Sequence, residues 1–428
     1  MQAYRASLLH FIDDPAYGEH ACRWHEDGLL VVADGRVMNA GDYAQLQSAL
    51  PPHIAVHDYR GNIIMPGFID THIHFPQTDV IASPAPSLLP WLERYIFPAE
   101  DQFKDATHAR EVADFFLDEL IRCGTTTAMV YCTVHPVSVE AFFAASQARN
   151  LRMAAGKVMM DRNCPAPLRD DAEIGARESE ALIQKWHQRG RQLYAITPRF
   201  APTSSTRQLQ FAGELARRYP DTYIQTHVAE NTNEVAWVKS LFPDARSYLD
   251  VYAKHGLMRE RAMYGHCIWL DDEDRLRMAQ THTAAAVCPT SNLFLGSGLF
   301  DFARADHARM LLSIGTDVGA GTSFSMLRTM NELYKVARMG GTHLPALRMF
   351  YLATLGGARA MQLEGVIGNF ATGTEADFIV LDPKATPLLA RRAARSDSLE
   401  ELLFGFALLG DERMVAATYV AGQRVMPC

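Results

Sequence analysis

Between Ile63 and Val318 one pattern recurs: a short apolar segment ends in a polar or Gly/Pro-rich loop, and an amphipathic stretch usually follows. The eight apolar segments are IIMPGFIDTHIH, TTTAMVYCTV, MAAGKVMMD, LYAITPRFAP, TYIQTHVAE, AMYGHCIWL, AAAVCPTSN and MLLSIGTDV. Short apolar runs alternating with helical periods read as buried parallel strands joined by helices. Glu111 to Gly124 carries apolar residues at helical spacing and ends on glycine. Ser205 to Pro220 starts on a serine cap and stops at proline. Eight such units over roughly 310 residues predict an α/β fold with a (β/α)8 TIM-like barrel, whose usual size is about 250 residues. An open doubly wound sheet is the alternative from pattern alone, but the first strand lacks a GxGxxG turn.

The two ends differ from the middle. LLVVADGRV places apolar runs around Asp34-Gly35, a hairpin turn signal. DFIVLD and MVAATYVAGQRVM (Met414 to Met426) are strand-like, the second with an Ala421-Gly422 turn. Two β-rich ends predict a small β-sandwich domain built from residues 1–64 and 369–428, flanking a barrel over residues 65–368.

Composition narrows the setting. The 428 residues, 48% hydrophobic and 21% charged, are those of an ordinary globular chain. A net charge of -8 argues against a nucleic-acid surface. The seven cysteines (22, 123, 132, 164, 267, 288 and 428) include no CxxC pair and read as free, mostly buried thiols in a reducing compartment. The N-terminus lacks the apolar core of a secretion signal, and no apolar run reaches membrane-spanning length. The expected location is therefore the cytoplasm, with no membrane partner.

The chemistry-bearing residues sit at strand ends. His72 and His74, two apart on one strand, point to the same face. His227 ends TYIQTHVAE, His266 ends its strand in AMYGHCIWL, and Asp317 ends MLLSIGTDV. Strand ends before loops are where barrel enzymes keep their chemistry. Three neutral imidazoles and a carboxylate suit zinc or a similar divalent metal, which lowers the pKa of water to around 7. Glu230, three residues after His227, is placed to shuttle protons without being a ligand. Singly, each motif is weak, since strand histidines are commonly packed and a GTD can be a helix cap. Four clusters on four strand ends in compatible order are far stronger together. The remaining histidines form no group. Lys157 lies within a strand, but LYAITPRFAP carries no lysine, so one metal is expected rather than two bridged by a carboxylated lysine.

PGFIDTHIHFPQTD, TPRFAPT, THVAEN, VCPTSNLFLGSG, GTDVGAGTSFSML and ATLGGARAMQLEGVIGNF closely resemble guanine deaminases of the amidohydrolase superfamily. The resemblance runs from about Ile63 to Val425; HxH and GTD occur across the superfamily, whereas HIHFPQTD with TPRF is narrower. It implies that His72, His74, His227 and Asp317 hold one zinc, that Glu230 and Asp317 move protons, and that His266 borders the activated water. It implies that Gln77, Arg199, Phe200 and His74 contact the purine, that Trp91 walls the pocket (an ordinary core tryptophan is the competing reading), and that the chain is a homodimer. The residue chemistry agrees: an arginine fork can donate to adjacent carbonyl and ring-nitrogen acceptors, and Phe200 offers a stacking face. Arg199 in a structural ion pair is the competing reading. Three other functions remain open: deamination of another ring (oxidised guanine, a pterin, a triazine), a barrel that has lost catalysis, and a two-metal cyclic-amide hydrolase. The HxE and PCxxC signatures of other nucleobase deaminases are absent; Cys288 in VCPTSN has no second cysteine.

Overall fold

The computed structural model describes residues 1–18, 20–84 and 86–425. Met426 and Cys428 lie outside these. The first four strands are β1 (Gln2–Phe11), β2 (Cys22–Ala33), β3 (Arg36–Asp42) and β4 (Val56–Pro66). The barrel follows with β5 (Phe68–His74), β6 (Thr125–Tyr131), β7 (Arg152–Gly156), β8 (Val158–Met159) and β9 (Leu193–Pro198). It continues with β10 (Tyr223–Val228), β11 (Ala262–His266), β12 (Ala284–Val287) and β13 (Leu312–Ile314). The chain ends with β14 (Phe378–Leu381), β15 (Val415–Val420) and β16 (Gln423–Val425).

Strands β5 to β13 are parallel and neighbour one another in chain order, with β7 and β8 acting as one strand interrupted at Lys157. The eight positions are those read from the apolar segments. The ring closes through the loop after β13: Asp317 N donates to His72 O (2.9 Å) and His74 N donates to Val318 O (2.9 Å). Thr71 and Ser313 hydroxyls meet across the seam at 2.7 Å. Below the mouth, Ile69, Met129, Ala154, Ala195, Met263 and Ala286 pack together, and Ala358 and Met361 close the opposite end. The interior is thus filled by side chains rather than open.

Local chemistry explains the connecting helices. The first long helix spans Ala106–Arg122, five residues longer at its start than its apolar periodicity alone indicates. Asp105 starts it early by accepting from Thr107 N and His108 N. Gly124, at φ +80, ends it in the left-handed conformation that favours glycine. Ser205 caps Thr206–Arg218, which stops before Pro220 as the sequence reads.

The termini form a seven-stranded mixed sheet in the order β16-β15-β14-β4-β1-β2-β3. Its hairpin turns fall at Asp34-Gly35 and Ala421-Gly422, all four residues at positive φ. The sheet curls onto itself: Val37 N donates to Thr374 O (2.8 Å), Ala376 N to Gly35 O (2.8 Å) and Tyr4 Oη to Gly422 O (3.1 Å). Tyr4, Leu30, Val32, Phe378 and Tyr419 pack inside the curl. Ile63, Met65, Ile379 and Leu381 face the other way and join Phe116, Leu120 and Ile121 of the barrel's first helix. The segment IIMPGFIDTHIH therefore serves two sheets, ending β4 at Pro66 and starting β5 at Phe68.

Candidate active site at the barrel mouth

The carboxyl ends of four barrel strands, or the loops immediately after them, converge on one buried cluster. His72 and His74 come from β5, His227 from β10, His266 from β11, and Asp317 from the loop after β13. His74 Nε2 lies 3.2 Å from His227 Nε2. Asp317 Oδ1 lies 3.4 Å from both His72 Nε2 and His74 Nε2, and Oδ2 lies 3.8 Å from His266 Nε2. One ligand atom from each of His72, His74 and His227 lies within 4.8 Å of the others, as do those of His72, His266 and Asp317. These are the metal-ligand candidates of the sequence, together with His266.

The donor set fits a divalent metal. Two nitrogens each about 2.0–2.1 Å from one tetrahedral ion would stand roughly 3.3 Å apart, close to the His74–His227 spacing. His72 Nε2 is buried and has no hydrogen-bond partner among the described residues. His227 Nδ1 donates to Arg199 O (2.6 Å) and His266 Nδ1 donates to Asn292 Oδ1 (2.9 Å), which leaves each Nε2 unprotonated and turned inward. Burial pushes His74 down to about 3; burial and the neighbouring imidazoles push His227 well below its ordinary value. Neutral imidazoles are the form that binds metal.

The strand ends are shaped to make this possible. Ala229, His266, Cys267 and Asp317 all adopt positive φ (51°, 69°, 54° and 52°). Non-glycine residues in this region cost on the order of 1 kcal/mol each and cluster at functional sites. A Cβ on Gly265 would stand 2.5 Å from His72 Cε1, so only glycine lets that ring lie against β11.

Glu230 and Asp317 differ sharply. Burial, then the Asp317 charge, push Glu230 up to about 8, opposed by a hydrogen bond from Ser297 Oγ (2.8 Å). Burial alone would raise Asp317, but the His72, His74 and His266 imidazoles hold it well below the usual carboxylate range. Glu230 Oε2 lies 3.4 Å from His266 Nε2. The Glu230 backbone is held in turn: Glu230 N and Asn231 N both donate to Glu234 Oε2, and Tyr248 Oη donates to Glu234 Oε1 at 2.6 Å.

A cleft of about 390 Å³ opens onto the cluster, bordered by His74, Gln77, Trp91, Arg199, Phe200, Glu230 and Asp317 among others. Every residue expected at the substrate therefore reaches it. Leu88, Trp91 and Leu92, on a helical run over the mouth, and Leu295 make its apolar wall with Phe200. Trp91 Nε1 donates to Ser83 O (3.0 Å), so the indole combines a wall position with a structural anchor. Both readings of Arg199 hold at once: it borders the cleft and its Nη1 pairs with buried Glu100. Lys157 stands apart, its ammonium engaged by Asp170 and, at 3.5 Å, by Glu178.

Several contributors escaped the sequence reading. Tyr131 stacks on His74 (ring centroids 4.4 Å apart), Asn292 orients His266, Ser297 touches Glu230, and Glu100 binds Arg199. Asn292 and Ser297 lie in VCPTSNLFLGSG, a motif that carried the resemblance without a role for either residue. Glu100 had no local signal.

The model of the Amidohydrolase family matches residues 63–425. The chain belongs to the amidohydrolase family. A guanine deaminase of Escherichia coli (strain K12) is 48% identical over 428 residues, 99% of this chain and 98% of that protein. The solved structure of E. coli guanine deaminase superposes with a TM-score of 0.97 and covers all of both chains. A guanine deaminase from C. acetobutylicum, solved with guanine bound in its active site, is 27% identical with a TM-score of 0.89, covering 99% of this chain and 100% of that one. The family is typically metal-dependent, and the His/Asp cluster at the mouth is a group of the kind that holds a metal.

Proposed function

We propose that this protein hydrolyses guanine to xanthine and ammonia, using one zinc ion per chain. The observation that carries this reading is the convergence in one cleft of the His72, His74, His227 and Asp317 cluster with a second buried carboxyl, Glu230. Their surroundings push the two carboxyls in opposite directions, Glu230 up and Asp317 down, as suits an acid and a base. Full-length similarity to guanine deaminases supports guanine as the ring.

His72, His74, His227 and Asp317 would hold the ion. When bound, zinc supplies Lewis acidity that brings a water toward hydroxide at neutral pH. Arg199 and Gln77 grip the edge of the purine bearing the carbonyl, while Phe200 and the leucine wall stack against the ring and exclude solvent. Glu230 donates its proton to ring N3, which makes C2 electrophilic. Asp317 accepts the proton of the attacking water, and His266 orients that water's oxygen. A C2–O bond forms, the C2–N bond to the exocyclic amine breaks, and the proton returned to nitrogen lets ammonia leave.

The test is ammonia release from guanine by the zinc-loaded protein, with adenine and cytosine as controls. No release from guanine would sink the reading, as would the absence of about one ion per chain in metal analysis.

We further infer a homodimer in the cytoplasm, with the terminal segments 1–64 and 369–428 forming one small domain around the barrel of residues 65–368. Free thiols at Cys123, Cys132, Cys267 and Cys288, all buried, suit a reducing compartment. No described helix is long and apolar enough to cross a membrane. Light scattering on the purified protein measures the oligomeric state.

A further inference from the structure

Arg199 and Gln77 do not reach the cleft as independent donors; both are tied to one buried carboxylate. Glu100 Oε1 accepts from Arg199 Nη1 (2.8 Å) and from Gln77 Nε2 (3.3 Å), and Glu100 Oε2 accepts from the same Nη1 (2.6 Å). Exposure of Glu100, Gln77 and Arg199 is only 1%, 2% and 3%. Phe97, on the same helical turn as Glu100, lies against the guanidinium with its ring centroid 5.6 Å from Arg199 Cζ. On its other side, Gly319 N donates to Gln77 Oε1 at 3.1 Å. The Gln77 amide is thereby fixed, its oxygen toward Gly319 and its NH2 toward Glu100.

Resting on the guanine reading, we infer that Glu100 is a positioning residue that determines specificity: it aims Arg199 and Gln77 and cancels the guanidinium charge, so the cleft takes an uncharged purine edge and rejects an anionic one. The physical reasons are two. A guanidinium buried without a partner is costly and attracts anions. With Glu100 against Nη1 the pair carries no net charge, yet Nε and Nη2 stay available to donate, since neither has a protein partner among the described residues. The reaction itself makes this useful. Guanine is neutral at pH 7. Replacing its electron-donating amine by a carbonyl adds an acidic ring N–H, so xanthine ionises more readily. A charge-neutral frame binds the substrate and lets the ionised product go.

The experiment uses the full-length, zinc-loaded protein and measures guanine turnover and inhibition by xanthine. Glu100→Gln removes the charge and keeps the shape. It is expected to raise KM for guanine roughly tenfold or more with a smaller effect on kcat. It is also expected to reverse the response to product: xanthine inhibition tightens as xanthine is titrated to its anion, whereas in the wild type it weakens. Combined with Arg199→Met, the loss is expected to be well below the sum of the two single losses, because Glu100 acts in large part through that side chain. Wild-type KM and wild-type xanthine inhibition in a folded, metal-replete Glu100→Gln overturn the inference, as do additive losses in the double variant. Should Glu100→Gln not fold, Glu100→Asp decides, since it keeps the charge but shortens the reach. A raised KM without tighter binding of the anion supports the role, and a wild-type KM overturns it. Failure of the wild type itself to deaminate guanine overturns the functional reading instead, so the two failures are distinguishable.

Discussion

Two carboxyls in one cleft are driven to opposite protonation states by what surrounds them. Glu230, raised from 4.5 to about 8, keeps its proton through neutral pH and loses it as the pH rises through that value. In the proposed mechanism the general acid is therefore present on the acid side and absent on the alkaline side. A bound cation's own charge draws the value down, so the alkaline limb of kcat/KM is expected at or below about pH 8 in a pH–rate profile. Glu230→Gln is expected to retain zinc and lose about 10²–10⁴-fold in kcat, the range for a general acid; near-normal turnover would remove Glu230 from the chemistry. His72→Ala is expected to lose metal and activity together, read by metal analysis beside the ammonia assay. Glu230, Asp317 and the four histidines were legible in the sequence because each stands at the end of an apolar strand. Glu100, Ser297, Asn292 and Tyr131 were not. An acid in LERYIFPAED matters only because its helix crosses the mouth and meets Arg199, 99 positions further along the chain.

The strand ends, rather than the strands, carry the precision. Gly265 shows this: its missing Cβ is the space in which the His72 ring lies. Gly265→Ala is expected to push that ring aside while leaving the β11 pairing intact. The loss in metal affinity should be comparable to removal of an outer-shell partner, about 10–100-fold, measured by chelator competition. The positive φ at Ala229, His266, Cys267 and Asp317 turns the chain sharply after β10, β11 and β13, so successive side chains face one centre. Helix limits were legible from caps and periodicity. The start at Asp105 was set by side-chain oxygen meeting backbone N–H, a signal separate from apolar spacing.

Across the whole molecule, a buried ion network joins the barrel to the terminal sheet. Arg191 Nη2 pairs with Glu375 (2.7 Å) and with Asp377, and Arg152 pairs with Glu375. Arg191→Met leaves two largely buried carboxylates short of a partner. It is expected to destabilise the protein by about 3 kcal/mol, read from urea unfolding, with little change in KM. Metal removal acts on the same scale by mass action: a ligand at 100 times its Kd stabilises by about 2.7 kcal/mol. Chelation should therefore lower the unfolding temperature by a few degrees, recovered on adding zinc back.

The sequence by itself determined the elements and their order. Alternating apolar and amphipathic segments specify strands and helices, and turn residues mark where each ends, because these depend on neighbours a few positions apart. It also placed imidazoles and carboxylates at the mouths of particular strands. Only the tertiary structure decided which of them share a centre and which carboxyl keeps its proton. It also decided that Arg199 reaches the cleft already paired with Glu100. Those outcomes turn on burial and on charges brought within a few ångströms from distant parts of the chain, and neither quantity exists until the barrel closes.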